Sequence, residues 1–263
     1  MYSRHVFLLS AGTWTFLACL LLLMVNGNWL LRNIHRDAPP LPHGDGPDYE
    51  SLAYSLSIGR GFEFAWQDPQ WQAPYRDAAL ADEYSQVRRR DWPGSTTSRP
   101  PALPWLISQV YGWIPRGPKA FESVRWLSVG ALSLAGTLAV WLAGRWTLDV
   151  IQMRTNPPKA FVYLPFIACV TALALAMLDR TIKTYVVDFL TEPWALMGVT
   201  SFAWTLSRWT KDRDCLHWLW IAGSIFGAMV LFRSLFILWL PVLVFGILRS
   251  GKVPDAKPLR WWI

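Results

Sequence analysis

Residues 6–25 read V-F-L-L-S-A-G-T-W-T-F-L-A-C-L-L-L-L-M-V, and with its edges this apolar run extends from about 6 to 31. A helix needs about 20 apolar residues to cross the hydrocarbon core of a bilayer, so the run specifies a transmembrane helix. It exceeds a signal-peptide core, and no convincing small-residue cleavage site follows, so it reads as a retained anchor. Beyond it comes D-G-P-D-Y-E-S-L-A-Y-S-L-S-I-G-R-G-F at 45–62, inside a polar stretch that runs from 33 to 100. The carboxylates Asp45 and Asp48 therefore stand just past a membrane span. An acidic group held there suits chemistry on a lipid-borne substrate; the plainer alternative is a pair of solvated loop carboxylates.

Composition agrees with a membrane protein. Apolar residues make up 53% of the chain and charged residues 16%, below the roughly 25% charge of soluble domains. Eighteen tryptophans suit the headgroup level of a bilayer. Cys19, Cys169 and Cys215 lie in or beside apolar runs, without metal-ligand spacing or a disulfide framework. The net charge of +7 comes largely from basic residues beside membrane runs, where such charge sets orientation. No RNA- or DNA-reading motif accompanies it, so a nucleic-acid partner is not expected. No repeat of 20 to 50 residues is visible.

Further apolar segments lie at about 102–115, 124–146, 160–178, 189–207, 217–232 and 234–248. The polar stretch, with its Arg88-Arg89-Arg90 cluster, is too long for a connecting turn. Short interfacial helices are expected in it, S-L-A-Y-S-L-S-I being the best candidate by its spacing of three and four. P-A-L-P-W-L-I-S-Q-V-Y-G-W-I-P is short for a span and fits a re-entrant or interfacial helix. Six spans remain, and the positive-inside rule places both termini in the cytoplasm. Arg4, then Arg145, Arg154 and Lys159, then Arg208, Lys211 and Arg213, then Arg249, Lys252, Lys257 and Arg260 all fall on one side. The expected fold is all-α: a polytopic membrane helix bundle of about six spans, in one module over 1–263. Its first extracytoplasmic loop, 33–120, carries the interfacial helices.

This topology gathers polar residues on the outer face. The short outer loop holds Asp179, Arg180, Lys183 and Asp188, and Glu192 opens the fourth span in F-L-T-E-P-W-A-L-M. Arg233 interrupts M-V-L-F and S-L-F-I-L-W-L, where an arginine is costly unless it snorkels, pairs or meets a ligand. The bland alternatives are snorkelling for Arg233 and a helix first-turn acid for Glu192, with Thr191 as cap and Pro193 in the first turn.

Four stretches in order resemble the N-terminal half of a GT-C-type integral membrane glycosyltransferase. The likeness is to the protein mannosyltransferase, aminoarabinose transferase and lipopolysaccharide-core transferase groups. The first stretch is an acid four residues before a tyrosine, Asp45 and Tyr49, then a short helix and G-R-G-F at 59–62. The second is S-R-P-P-A-L-P-W at 98–105, which contains Arg99, and the third is F-L-T-E-P-W at 189–194. The fourth is a glycine-bearing span ending at Arg233 before a new apolar run. Two positions depart from the pattern: Gly46 follows Asp45 where many relatives carry glutamate, and Ser234 follows Arg233 where proline is common. Such enzymes usually continue with further spans, so the chain is expected to be a fragment, a truncated product or a minimal relative.

The resemblance implies transfer of a sugar from a polyprenyl-phosphate donor to a hydroxyl acceptor on a lipid, glycan or protein, at the extracytoplasmic face. Asp45 is the expected base and Asp48 its fallback. Tyr49, Arg99, Asp188, Glu192 and Arg233 are the expected donor- and acceptor-binding residues, with Arg233 or Arg99 meeting the phosphate. No cofactor is required by these residues. A divalent cation stays open, although Asp45, Glu192 and His43 do not make a ligand set by spacing. Two other classes remain at this stage: a lipid or glycan transporter or flippase component, and an inactive membrane scaffold.

Overall fold

The computed structural model describes residues 2–90, 94–95, 99–152, 163–210 and 215–249, with side chains over 13–90, 99–152, 163–210 and 215–246. Helix α1, Tyr2–Leu31, is followed by a region of short elements: α2 (Gly46–Ser57), β1 (Glu63–Phe64), α3 (Pro69–Asp77), α4 (Tyr84–Arg88), β2 (Gly94–Ser95) and α5 (Ala102–Trp113). Then come α6 (Pro118–Gln152), α7 (Leu164–Leu178), α8 (Arg180–Val187), α9 (Glu192–Trp209), α10 (Leu216–Phe232), a 3-10 turn (Ser234–Trp239) and α11 (Leu240–Arg249). The architecture is helical apart from one antiparallel ribbon, which pairs Glu63 with Ser95 and Phe64 with Gly94.

Two described helices are long and apolar enough to cross a membrane, Thr13–Leu31 and Pro118–Gln152. A third candidate is the broken pair Leu164–Leu178 and Arg180–Val187, bent by 47°. Asp179 makes the break: it ends α7 in an extended conformation, and its carboxylate accepts the Ile182 N–H at 3.1 Å to start α8. Helices also occupy the other three expected span positions. At 17 residues, α10 is about 26 Å long, short of the roughly 30 Å core. The apolar stretch after Arg233 begins as a 3-10 turn, and α9 carries Glu192, Thr200, Ser201, Thr205, Ser207 and Arg208.

Helix α6 is the centre of the bundle: α1, α7 and α9 pack against it, and α10 packs against α9. A Cβ on Gly136 of α6 would lie 2.9 Å from a Leu22 methyl of α1, so a small residue sets this crossing. Asn26 donates to Ser133 at 3.0 Å across the same buried interface. With hydrocarbon as solvent, apolar burial alone does little to hold helices together, and close packing with such polar contacts takes over.

The region between α1 and α6 folds as its own layer over the bundle end. One core joins Tyr49 and Ala53 of α2 to Leu103, Ile107 and Tyr111 of α5, Phe121 and Val124 of α6, and Phe189 and Trp194 near α9. A second gathers Tyr54, Ala65, Trp66, Trp71, Tyr75 and Val87. The interfacial helix expected at 51–58 is the body of α2, and the proline-bounded segment forms α5.

Two buried charges lock this layer. Glu50 has no exposed surface and accepts from Arg116 Nε at 2.6 Å and Nη2 at 3.1 Å, from the Tyr111 hydroxyl at 2.9 Å and from the Trp71 indole. Arg116 also donates to the carbonyls of Gln70 at 3.1 Å and Trp71 at 2.8 Å. Arg125, fully buried in α6, donates to four backbone carbonyls: Val187 at 3.0 Å, Arg36 at 3.0 Å, Ala38 at 2.6 Å and Pro39 at 3.3 Å. It thereby ties the segment after α1 to the end of α8.

Candidate functional site

Helix α2 starts where the chain passes the α8–α9 junction. A Cβ on Gly46 would lie 2.1 Å from the Asp188 carbonyl oxygen. No side chain fits there, which accounts for glycine following Asp45. Asp45 holds the N-cap position of α2, but with φ −89° and ψ −18° its side chain makes no capping bond. An aspartate at an N-cap normally accepts from the second or third helical N–H. Here the carboxylate turns instead to Arg99, which donates to it at 2.7 Å. Tyr49 follows four residues later on the same helical face.

Arg99 precedes Pro100, and a residue before proline is held away from helix, which lets the arginine reach α2 from the start of α5. Its guanidinium bridges both carboxylates, meeting Asp48 from Nη2 at 2.6 Å and from Nε at 3.1 Å. Asp48 is also gripped by Arg90, which donates a further bond to the Gly44 carbonyl at 2.8 Å. The two acids differ in surroundings: the Asp45 side chain is 49% exposed and that of Asp48 10%. Burial pushes the Asp48 carboxyl above its ordinary value, against the opposing charges of Arg90 and Arg99. Burial likewise raises the Tyr49 phenol. Burial opposes the charge on Arg99, but its bonds and charge attraction to Asp48, with Asp45 beyond, outweigh this and hold it cationic.

Asp45, Tyr49, Arg99, Glu192 and Arg233 line one pocket of about 230 Å³, with Leu190 and Leu235 among its apolar walls. Glu192 opens α9. Arg233 ends α10 in an extended conformation, φ −153° and ψ 103°, before the 3-10 turn. The arginine turns back to donate from Nη1 to Glu192 Oε1 at 3.1 Å. The other Glu192 oxygen is buried without a hydrogen-bond partner. Beneath them Trp194 stacks on Phe232 at 5.6 Å, fixing the start of α9 against the end of α10. The pocket thus holds two arginines, each already paired, an exposed carboxylate and a half-satisfied one.

The sequence-derived set divides here. Asp45, Tyr49, Arg99, Glu192 and Arg233 come together; Asp48 lies one turn behind, as the anchor of Arg99. Asp188 does not line the pocket. Its carboxylate accepts from the Leu41 backbone N–H and has one oxygen buried and unpartnered, and burial pushes the carboxyl up against the opposing charges of His43 and Arg125. Thr191 holds the N-cap position of α9 but makes no side-chain capping bond, because its backbone is helical there. Among the described residues, no group of three or more His, Cys, Asp or Glu is placed to hold a metal ion.

Three supporting residues escaped sequence reading: Glu50, Arg116 and Arg125. For Arg125 a signal existed, since it falls within an apolar run as Arg233 does. For Glu50 the signal is its register, three before Ala53 and four before Tyr54 on the buried side of α2. Family models, curated proteins and solved structures all give no match to the chain.

Proposed function

We propose that the protein is a membrane glycosyltransferase that moves a sugar from a polyprenyl-phosphate donor to a hydroxyl acceptor at the extracytoplasmic face. The observation that carries this reading is the shared pocket: an exposed carboxylate withheld from its capping role, two arginines from different elements, and apolar walls at the ends of membrane helices. The four motifs that suggested the chemistry are far apart in sequence and contribute to this one place.

The acceptor oxygen attacks C1 of the sugar as Asp45 takes its proton, and a positioned base of this kind is worth about 10²–10⁴-fold. The C1–O bond to phosphate breaks with its electron pair going to the phosphate oxygen, so the lipid phosphate leaves as an anion. Base and leaving group on opposite faces of the ring give inversion, by the same logic as inverting glycosidases. Arg233 meets the phosphate charge: it uses one nitrogen on Glu192, and a guanidinium has five N–H donors. Asp45 serves as base in preference to Asp48 because it is half exposed with one arginine on it, whereas Asp48 is buried between two. Asp48 and Arg90 position Arg99, which orients Asp45.

Six spans with both termini in the cytoplasm complete the reading, supported by helices at each expected position and by the one-sided basic residues. Membranes from cells expressing the chain, given a polyprenyl-phosphate donor with radiolabelled sugar, should move label into a hydroxyl-bearing acceptor with the anomeric configuration inverted. Label remaining on the lipid in every acceptor mixture, or retained configuration in the product, would count against the assignment.

A further inference from the structure

A second cavity, of about 580 Å³, lies beyond the other end of α2 and is lined by Arg60, Phe64, Trp66, Gln67, Asp68 and Gln70 among others. Its volume is within the roughly 300–1,000 Å³ of small-molecule sites. Nothing in the transfer mechanism uses it. We infer that this cavity is a binding site for a neutral glycan. The inference concerns binding alone and stands apart from the transferase reading.

The lining selects the ligand class. Phe64 stacks on buried Trp66 at 3.9 Å with planes 20° apart, so the half-buried Phe64 ring is held firmly and gives the cavity an aromatic surface against which the C–H face of a sugar ring can lie. Around it stand planar polar groups with both donors and acceptors: the Gln67 and Gln70 amides, the Asp68 carboxylate and the Arg60 guanidinium. Hydroxyls in pairs are matched by such groups, since each hydroxyl donates and accepts. Three of these four groups are fixed in place. Asp68 accepts from the Gln70 N–H at 2.8 Å and from Arg60 at 2.7 Å, and the Tyr54 hydroxyl stands 3.3 Å from Gln70 Oε1. Pre-organised groups lose little freedom on binding.

Charge argues for a neutral ligand. Arg60 is the cation in the lining, and Asp68 neutralises it across 2.7 Å. An anionic glycan or a phosphate would have to displace that carboxylate. One carboxylate is too few for a metal site. An apolar lipid tail would leave the amides and the ion pair without water or partners.

The test measures binding and transfer separately, on the full chain in detergent. The probes are neutral oligosaccharides of one to five hexose units built from glucose, galactose or mannose. Saturation-transfer NMR should detect binding of at least one of these probes, and the Asp45→Asn variant should bind it as well as the wild type. Gln67→Ala should weaken that binding by about tenfold, the effect of losing a hydrogen bond to a desolvated partner. Arg60→Ala, which frees Asp68, should also weaken it. No binding to any probe, binding unchanged in both cavity variants, or preference for a peptide panel of equal length would overturn the inference. Glycan binding without sugar transfer would uphold the binding site while removing the transferase reading.

Discussion

Asp45 and Asp48 share one arginine and one helical turn, yet the first is half exposed and the second is buried between two arginines. The same contrast separates the other charged residues of the first pocket from those behind it. Arg233 is 45% exposed and binds a single carboxylate oxygen, so it can offer donors to a phosphate; Arg125, with four backbone carbonyls around it, cannot. Arg233→Gln should therefore raise KM for the lipid-linked donor several-fold more than KM for the acceptor, and lysine should rescue only in part because it lacks the planar fork. Equal effects on both substrates would return Arg233 to a structural role. Asp188 leads to a different prediction. Its folded-state carboxyl is raised by burial, so its stability contribution is present below the ordinary carboxylate value of about 3.9 and is lost as pH climbs through the raised value. Asp188→Asn should spare transfer and gain thermal stability, the gain being larger at pH 8 than at pH 4.5. A gain independent of pH would contradict the burial argument. At this scale, polar residues that interrupt apolar runs were legible in the sequence, and Glu192 and Arg233 were found that way. Asp188 was legible as an acid of the short loop before α9, but its absence from the pocket was not, since that depends on how the α8–α9 junction packs against α2.

Helix α2 carries most of the candidate chemistry, and it is held by contacts from every side. Its N-terminus abuts the α8–α9 junction, Glu50 binds Arg116, and Tyr49 and Ala53 pack on α5. Truncating one partner of such a buried ion pair costs about 3–5 kcal/mol, which makes α2 a rigid platform rather than a mobile loop. The tight contact at Gly46 gives the sharper test. Gly46→Val must move α2 away from Asp188, and with it Asp45 away from Glu192 and Arg233. Transfer should fall by at least about 100-fold, since misplacement by about 1 Å costs that much, while membrane insertion persists. Near-normal transfer in Gly46→Val would mean that the register of α2 does not set the site. The existence of α2 and α5 could be read from spacing and flanking prolines. Their mutual packing could not, because it depends on Glu50, Arg116 and Tyr111, which lie up to 66 residues apart.

For the molecule as a whole, membrane character was legible from run length alone, and α1 and α6 satisfy it. The finer count is harder, because α7–α8 breaks at Asp179, α10 is short and the last apolar stretch begins as a 3-10 turn. Local hydrogen-bonding residues set those breaks, and hydropathy does not register them. Cysteine labelling tests the proposed arrangement. A cysteine at Gln70, an exposed residue of the loop layer, should react from outside intact cells. One at Lys211, which lies outside the described residues, should react only after permeabilisation. Labelling of position 211 in intact cells would overturn the six-span topology. The central claim is that this membrane protein transfers sugar with Asp45 as base. It is tested most directly by assaying wild type, Asp45→Asn and Asp48→Asn side by side for transfer from a polyprenyl-phosphate donor, at matched membrane levels. The account predicts a loss of about 10²–10⁴-fold for Asp45→Asn and a smaller one for Asp48→Asn. Full activity in Asp45→Asn, or the larger loss in Asp48→Asn, would contradict it.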